Sequence, residues 1–190
     1  MASPSPEFAV RQGLALHVAF EIRQMVGAAL LIDSTDDVVT DNALLESTLL
    51  HARALIEFLL NIGHRPTDVT ASTFLPGWEI EAEHRESLDA PRKLLNKHLA
   101  HLTTDRVTDR RQAWPYPEIV NELIDHLRRY HAQLPHESQA RYSIGGELER
   151  VDAALGRDQD AETALSSTTP PPIFAVNQGH NRLTLSDFVD

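Results

Sequence analysis

The stretch Asn42–Gly63, NALLESTLLHARALIEFLLNIG, carries the clearest structural signal in this sequence. Its apolar residues recur at steps of three and four with no internal proline, which is the period of an amphipathic α-helix. Asp41 stands where a carboxylate can cap the first turn, and Gly63 can take the left-handed conformation that commonly ends a helix. The sequence therefore predicts a helix over residues 42–62 that buries Leu45, Leu49, Ala52, Leu55, Ile56 and Leu59.

A second helical pattern precedes this stretch, over residues 7–32. Its apolar residues recur at steps of three and four without an internal proline and predict a long amphipathic helix; they are Val10, Leu14, Phe20, Val26 and Leu30, with Val18, Ile22, Met25 and Ala29 between them. Residues 64–86 contain Pro66, Pro76 and Gly77 and predict an irregular connection.

Two further long helices are predicted after the connection. One begins with Asp89 as its cap and Pro91 in its first turn, and it runs to about Thr103 with a core stripe of Leu88, Leu95, Leu99 and Leu102. The next opens at Trp114-Pro115-Tyr116-Pro117 and ends before Pro135. It is expected to bury Ile119, Leu123, Ile124, Leu127, Tyr130 and Leu134, and a short fifth helix is expected over 147–155, after Gly145-Gly146.

These patterns predict an all-α protein, an up-and-down bundle of four main helices with an irregular connection between the second and third and a flexible C-terminal tail. The 190 residues allow one domain and a tail. We expect a helical bundle domain over 1–155 and a flexible linker over 156–172, which contains the triple proline Pro170–Pro172. Residues 173–190 regain apolar side chains and are expected to be docked, disordered or bound to a partner as an extended peptide.

Composition narrows the functional classes. The chain has 28 acidic and 17 basic residues and a formal charge of −11, which argues against non-specific coating of nucleic acid or of an anionic membrane. It has no cysteine, which excludes disulfides, thiolate zinc sites and cysteine nucleophiles. The first residues do not resemble a secretory signal, and we expect no membrane-spanning segment and a cytoplasmic location.

One basic segment departs from this acidic background. Residues 92–111, RKLLNKHLAHLTTDRVTDRR, hold six of the 17 basic side chains and two aspartates, a local charge of +4. Arg92, Lys97 and Arg106 lie there with His98 and His101, so a site for an anionic ligand is expected. A solvated helix end is the alternative, because cations favour the C-terminal carbonyls of a helix.

Within this segment, Asn96-Lys97-His98-Leu99-Ala100-His101-Leu102-Thr103 resembles the motif region of HEPN proteins, a family of small helical bundles found in toxin–antitoxin and other defence systems. The resemblance covers roughly residues 7–134, and it is closest to a divergent group of relatives with an Asn-Lys…Ala-His-Leu-Thr segment. It implies an RNA-binding or RNA-cleaving protein, a metal-independent endoribonuclease if it is an enzyme, that acts as a homodimer in a toxin or defence role.

The resemblance also implies roles for individual residues. His101 first and His98 second would take the proton from a ribose 2′-hydroxyl, while Arg92, Asn96 and Lys97 orient the attacked phosphate. In the family an arginine stands four to six residues before the histidine, and Leu95 occupies that position here. Arg92 would then replace it or pair with His98.

Arg53 is a further candidate for phosphate binding if it points inward, and otherwise it can form an ion pair with Glu57.

Two alternatives stay open at this point. One is a non-catalytic helical interaction or dimerisation module with a partner-binding segment at 173–190. The other is a metal site formed by His98, His101 and Asp105 with His51 or Glu57 of the second helix. Scattered histidines make chance pairs common, so the expectation is that the protein has no metal or other cofactor.

Overall fold

A computed structural model describes residues 6–32, 34, 36–63, 65–98 and 114–154 of the chain. It confirms the predicted all-α class, and these residues contain no strand. The helices are α1 (Pro6–Leu31), α2 (Val38–Leu59), α3 (Ala71–Phe74), α4 (Ala82–His98), α5 (Tyr116–Gln133), α6 (His136–Arg141) and α7 (Ser143–Ala154). The predicted linker and C-terminal segment, 156–190, lie outside the described residues.

Four helices enclose the core. Helix α1 packs on α2 and α7, and α5 packs on the same two helices, so the four close a bundle. Helix α4 packs against α2. The predicted stripe of α5 is confirmed, because all six of its apolar residues are buried.

Helix α1 has the predicted bounds to within one residue, and the structure divides its predicted apolar residues. Val18, Ile22, Met25, Val26 and Ala29 are buried, as part of a face completed by Ala15 and Ala19. Val10, Phe20 and Leu30 are exposed, by 62%, 47% and 41%, so the prediction is wrong for these three. Apolar residues occur on every side of the helix, so periodicity alone does not determine which side faces its neighbours.

The same helix bears on the expectation that no segment spans a membrane. Its segment Val10–Leu31 has 22 residues and a mean hydropathy of 1.4, enough by length and composition alone to cross a membrane. Within this segment, 44% of an 18-residue window is buried against the rest of the bundle. A central helix of a globular bundle has this composition too, because it is surrounded by apolar neighbours.

Helix α2 begins and ends at residues other than those predicted. Its cap is Asp37 rather than Asp41, and the Asp37 carboxylate accepts from the amides of Val39 (3.4 Å) and Thr40 (3.1 Å). The hydrogen bond from the Thr40 hydroxyl, followed by those from the two amides, lowers the pKa of Asp37. The left-handed residue at the other end is Asn61, with φ of 55°, rather than Gly63.

Asn61 also fixes the connection that follows. Its Nδ2 donates to the Trp78 carbonyl (2.7 Å), and its Oδ1 accepts from the Ser72 amide (2.9 Å). Trp78 Nε1 donates to the Leu59 carbonyl at 3.1 Å, and the Tyr130 hydroxyl donates to the Ala71 carbonyl at 3.0 Å. The connection is therefore irregular, as predicted, over the described residues up to 81, apart from the single turn α3. The prediction is wrong for residues 82–86, which belong to α4.

Helix α4 begins at Ala82, seven residues before the predicted cap Asp89, and Pro91 lies inside it. A proline in a helix interior removes one hydrogen bond and costs about 3 kcal/mol. Leu88 and Leu95 on either side of it are both fully buried, each worth about 1.5–3 kcal/mol. Their combined burial outweighs the cost of the proline.

Helix α7 includes Gly145 and Gly146, so the prediction that it starts after them is wrong. Its Glu147 is buried and accepts from Arg23 Nε (3.1 Å) and Nη2 (2.6 Å) and from Arg150 Nη1 (2.8 Å). Burial raises the pKa of Glu147, but hydrogen bonds from the two arginines bring it below its usual value. This cluster joins α7 to α1.

Candidate functional site

The candidates taken from the basic segment lie on the C-terminal half of α4. Arg92, Asn96 and Lys97 belong to the described part of that helix. The described part of α4 runs to His98, whose side chain is not described, and His101 and Arg106 lie outside the described residues.

Arg92 is engaged in an ion pair on its own helix. Its Nε and Nη2 atoms lie 2.8 and 2.7 Å from Asp89 Oδ1, and Lys93 Nζ lies 2.7 Å from Asp89 Oδ2. Hydrogen bonds from Lys93 first and Arg92 second lower the pKa of Asp89, so the carboxylate stays ionised. Arg92 can bind a phosphate only if its guanidinium first leaves the Asp89 carboxylate.

The position at which the HEPN-like resemblance expects an arginine faces the core. Leu95 is fully buried there, as its place in the predicted core stripe requires. The next residue, Asn96, has a buried Oδ1 with no hydrogen-bond partner among the described residues. Leaving a buried polar atom without a partner costs about 1–3 kcal/mol, so such atoms are rare in folded proteins. Among the described candidates on α4, only this oxygen is in that situation.

Arg53 forms the predicted ion pair within α2. Its Nε donates to Glu57 Oε1 at 3.2 Å, and both side chains are partly buried. The other residue of α2 considered for a metal, His51, has its Nδ1 2.6 Å from Glu21 Oε2 of α1. The polar groups of α2 therefore have partners other than the candidates on α4.

A different feature stands out on the outer surface of α1 and α2. Every large apolar side chain that is exposed in the described part of the chain belongs to one of these two helices. They are Val10, Leu16, Phe20, Leu30 and Leu31 on α1 and Val39 and Leu50 on α2, which we call the α1–α2 face. At 100° per residue, Leu16, Phe20 and Leu31 lie within about 60° of one another on the helix, opposite its buried side.

The sequence analysis also missed a group of imidazoles and carboxylates between α4 and α5. His84 lies near the start of α4, beside Glu81 and Glu83, and its ring meets that of His126 on α5 with centroids 5.1 Å apart. Two spacings were available as a signal, Glu81 to His84 at three residues and Glu122 to His126 at four. Both place a carboxylate and an imidazole on one face of a helix.

Aromatic side chains can bind RNA by stacking on bases, but three that could do so here lie in or against the core. Trp78 and Tyr116 are buried, and Trp114 packs against the core. Comparison of the chain with protein-family models, with curated proteins and with solved structures gave no match.

Proposed function

We propose that this protein is a helical interaction module that forms a homodimer through the α1–α2 face. The observation that carries the proposal is the confinement of all seven exposed large apolar side chains of the described residues to these two helices. Exposed apolar side chains concentrated on two neighbouring helices suit an interaction site, and such a surface can pair with itself about a twofold axis.

The chemistry of the α1–α2 face suits a protein partner. Phe20 contacts the His51 ring edge-on, with centroids 5.9 Å apart, so the aromatic side chain bridges the two helices on their outer side. Gly13 and Gly27 of α1 have no atom within 4 Å of where a Cβ would stand, so a neighbouring helix can approach closely. In this proposal the protein acts in the cytoplasm, and residues 173–190 supply a second contact to a partner.

Sedimentation of the full chain over a range of concentrations tests the proposal. The wild type is expected to be a dimer, and the double variant Leu16→Glu/Phe20→Glu a monomer with unchanged helical circular dichroism. Ala132→Glu, which adds a charge at an exposed position of α5, is the matched control and should remain dimeric. A wild-type chain that is monomeric at every concentration would overturn the proposal.

RNA binding or cleavage by a HEPN-like site is the second candidate. It is favoured by the unpartnered Asn96 Oδ1 on a helix that carries Arg92, Lys93 and Lys97. The purified chain should be incubated with structured and unstructured RNA, with and without chelator. Cleavage that resists the chelator, is abolished by His101→Ala and is unchanged by His136→Ala would support an RNA-cleaving site. No cleavage together with unaltered RNA mobility would exclude this second candidate.

A further inference from the structure

We propose that Glu81, Glu83 and His84 at the start of α4, with His126 of α5 as the fourth ligand, form a site for a divalent transition-metal ion, Zn²⁺ in particular. The inference is independent of the proposed dimer and of the HEPN-like resemblance. It rests on the distances among these side chains and on the burial of His126.

The distances match those that a tetrahedral ion requires. His84 Nε2 lies 3.4 Å from Glu81 Oε2 and 3.5 Å from Glu83 Oε1. Zinc binds nitrogen and oxygen ligands at about 2.1 Å, which in a tetrahedron separates neighbouring ligand atoms by about 3.4 Å. One ligand atom from each of the three residues lies within 4.8 Å of the others, so a single ion can contact all three.

A second helix offers a fourth donor. His126 is buried, with a side chain 6% exposed, and its ring packs edge-on against that of His84. Its Nε2 lies 3.8 Å from Glu122 Oε1, and this contact is the main cause that lowers the pKa of Glu122. An entering ion therefore has to replace Glu122 as the partner of the His126 imidazole, which would complete the four ligands of a tetrahedral site.

The local charge favours a cation. Residues 79–86 contain four glutamates and one arginine, and Glu122 adds a further carboxylate from α5. Imidazole nitrogen and carboxylate oxygen together suit zinc better than magnesium, which prefers oxygen ligands and retains water. The expected ion is therefore Zn²⁺, and Mg²⁺ should bind poorly.

One cation competes for the site. Arg129 Nη1 lies 2.8 Å from His84 Nε2, so the guanidinium donates to the nitrogen that would bind the metal. This contact places a lone pair, rather than a proton, on Nε2. Arg129 is exposed, so it can turn into solvent when an ion enters.

The position of the site predicts what binding does. Glu81, Glu83 and His84 precede or begin α4, whereas His126 lies in the middle of α5. An ion held by all four ligands cross-links the two helices, and it stabilises the folded state because the unfolded chain does not hold these ligands together.

Calorimetric titration of the metal-free full chain with Zn²⁺, alongside thermal unfolding with and without Zn²⁺, tests the proposal. The wild type should bind one ion per chain at this site and unfold at a higher temperature with Zn²⁺ than without it. His84→Ala and the double variant Glu81→Gln/Glu83→Gln should each lose at least about tenfold in affinity, and His136→Ala, an exposed histidine outside the site, should not change it.

Arg129→Ala gives a test with the opposite sign. Removing a positive charge next to the ion should tighten Zn²⁺ binding by at least about threefold. If Zn²⁺ binds the histidines of the chain without using this site, Arg129→Ala should not change its affinity. If the wild type does not bind Zn²⁺, or if His84→Ala binds it as well as His136→Ala, the proposal is overturned.

Discussion

Replacing Gly145 by alanine should destabilise the bundle, although alanine favours helices. A Cβ at this position would stand 2.6 Å from His131 Nε2 and 2.8 Å from His131 Cε1, closer than real contacts allow. The ring cannot shift freely, because its Nε2 is buried. Overpacking costs about 1–3 kcal/mol, and the helix propensity of alanine returns about 1 kcal/mol, so we expect a net loss of about 1 kcal/mol.

The neighbouring glycine is the matched control. Gly146 lies in the same helix, is exposed and has no atom within 4 Å of where a Cβ would stand, so Gly146→Ala should stabilise the fold by about 0.5–1 kcal/mol. Urea unfolding of the full chain, followed by circular dichroism, measures both changes. In a His131→Ala background the overlap disappears, and Gly145→Ala should become stabilising. If Gly145→Ala is as stabilising as Gly146→Ala in the wild-type background, the packing argument is refuted.

Three other predictions concern helix ends and acidic groups. Asp37→Ala should lower the urea midpoint clearly and Asp41→Ala much less, because Asp37 caps α2; equal effects would contradict this assignment. Asn61→Ala should lower the free energy of unfolding by about 2 kcal/mol or more, because it removes two hydrogen bonds and places alanine in the left-handed conformation. Asn61→Gly removes the same bonds without that strain and should lower it by about 1 kcal/mol less, so equal losses would argue against the strain. Because the pKa values of Asp89 and Glu147 are lowered in the folded state, the stability they contribute is present at neutral pH and lost as the pH falls through the folded values. The free energy of unfolding of the wild type should drop between about pH 5 and pH 2, and that of Glu147→Gln should drop less steeply. The same pH dependence in both proteins would show that the Glu147 carboxylate does not contribute to stability in this way.

The sequence predicted best where one side of a helix is apolar and the other polar. Helix α5 has such a pattern, and its bounds and buried stripe agree with the structure. Helix α1 carries apolar residues on every side, so its buried and its exposed apolar residues both fit the helical period. Only the packing of α2 and α7 around it selects the buried side, because close approach there favours the small residues Ala15, Ala19 and Ala29.

The candidate site shows the same division. That Leu95 belongs to a core stripe followed from its spacing with Leu88, and the structure confirms both as buried. The ion pair of Arg92 with Asp89, by contrast, was not predicted and is seen only in the structure. The roles of His98, His101 and Arg106 stay predictions, since the structure does not describe those side chains.

By itself, the sequence determined that the chain is all-α and which segments form the long helices, because helical periodicity and turn residues are local properties of the chain. The tertiary structure decided which sides of α1 and α2 remain uncovered, which aspartate caps α2, and that His84 meets His126. These outcomes depend on contacts between residues far apart in sequence, and no local pattern specifies them.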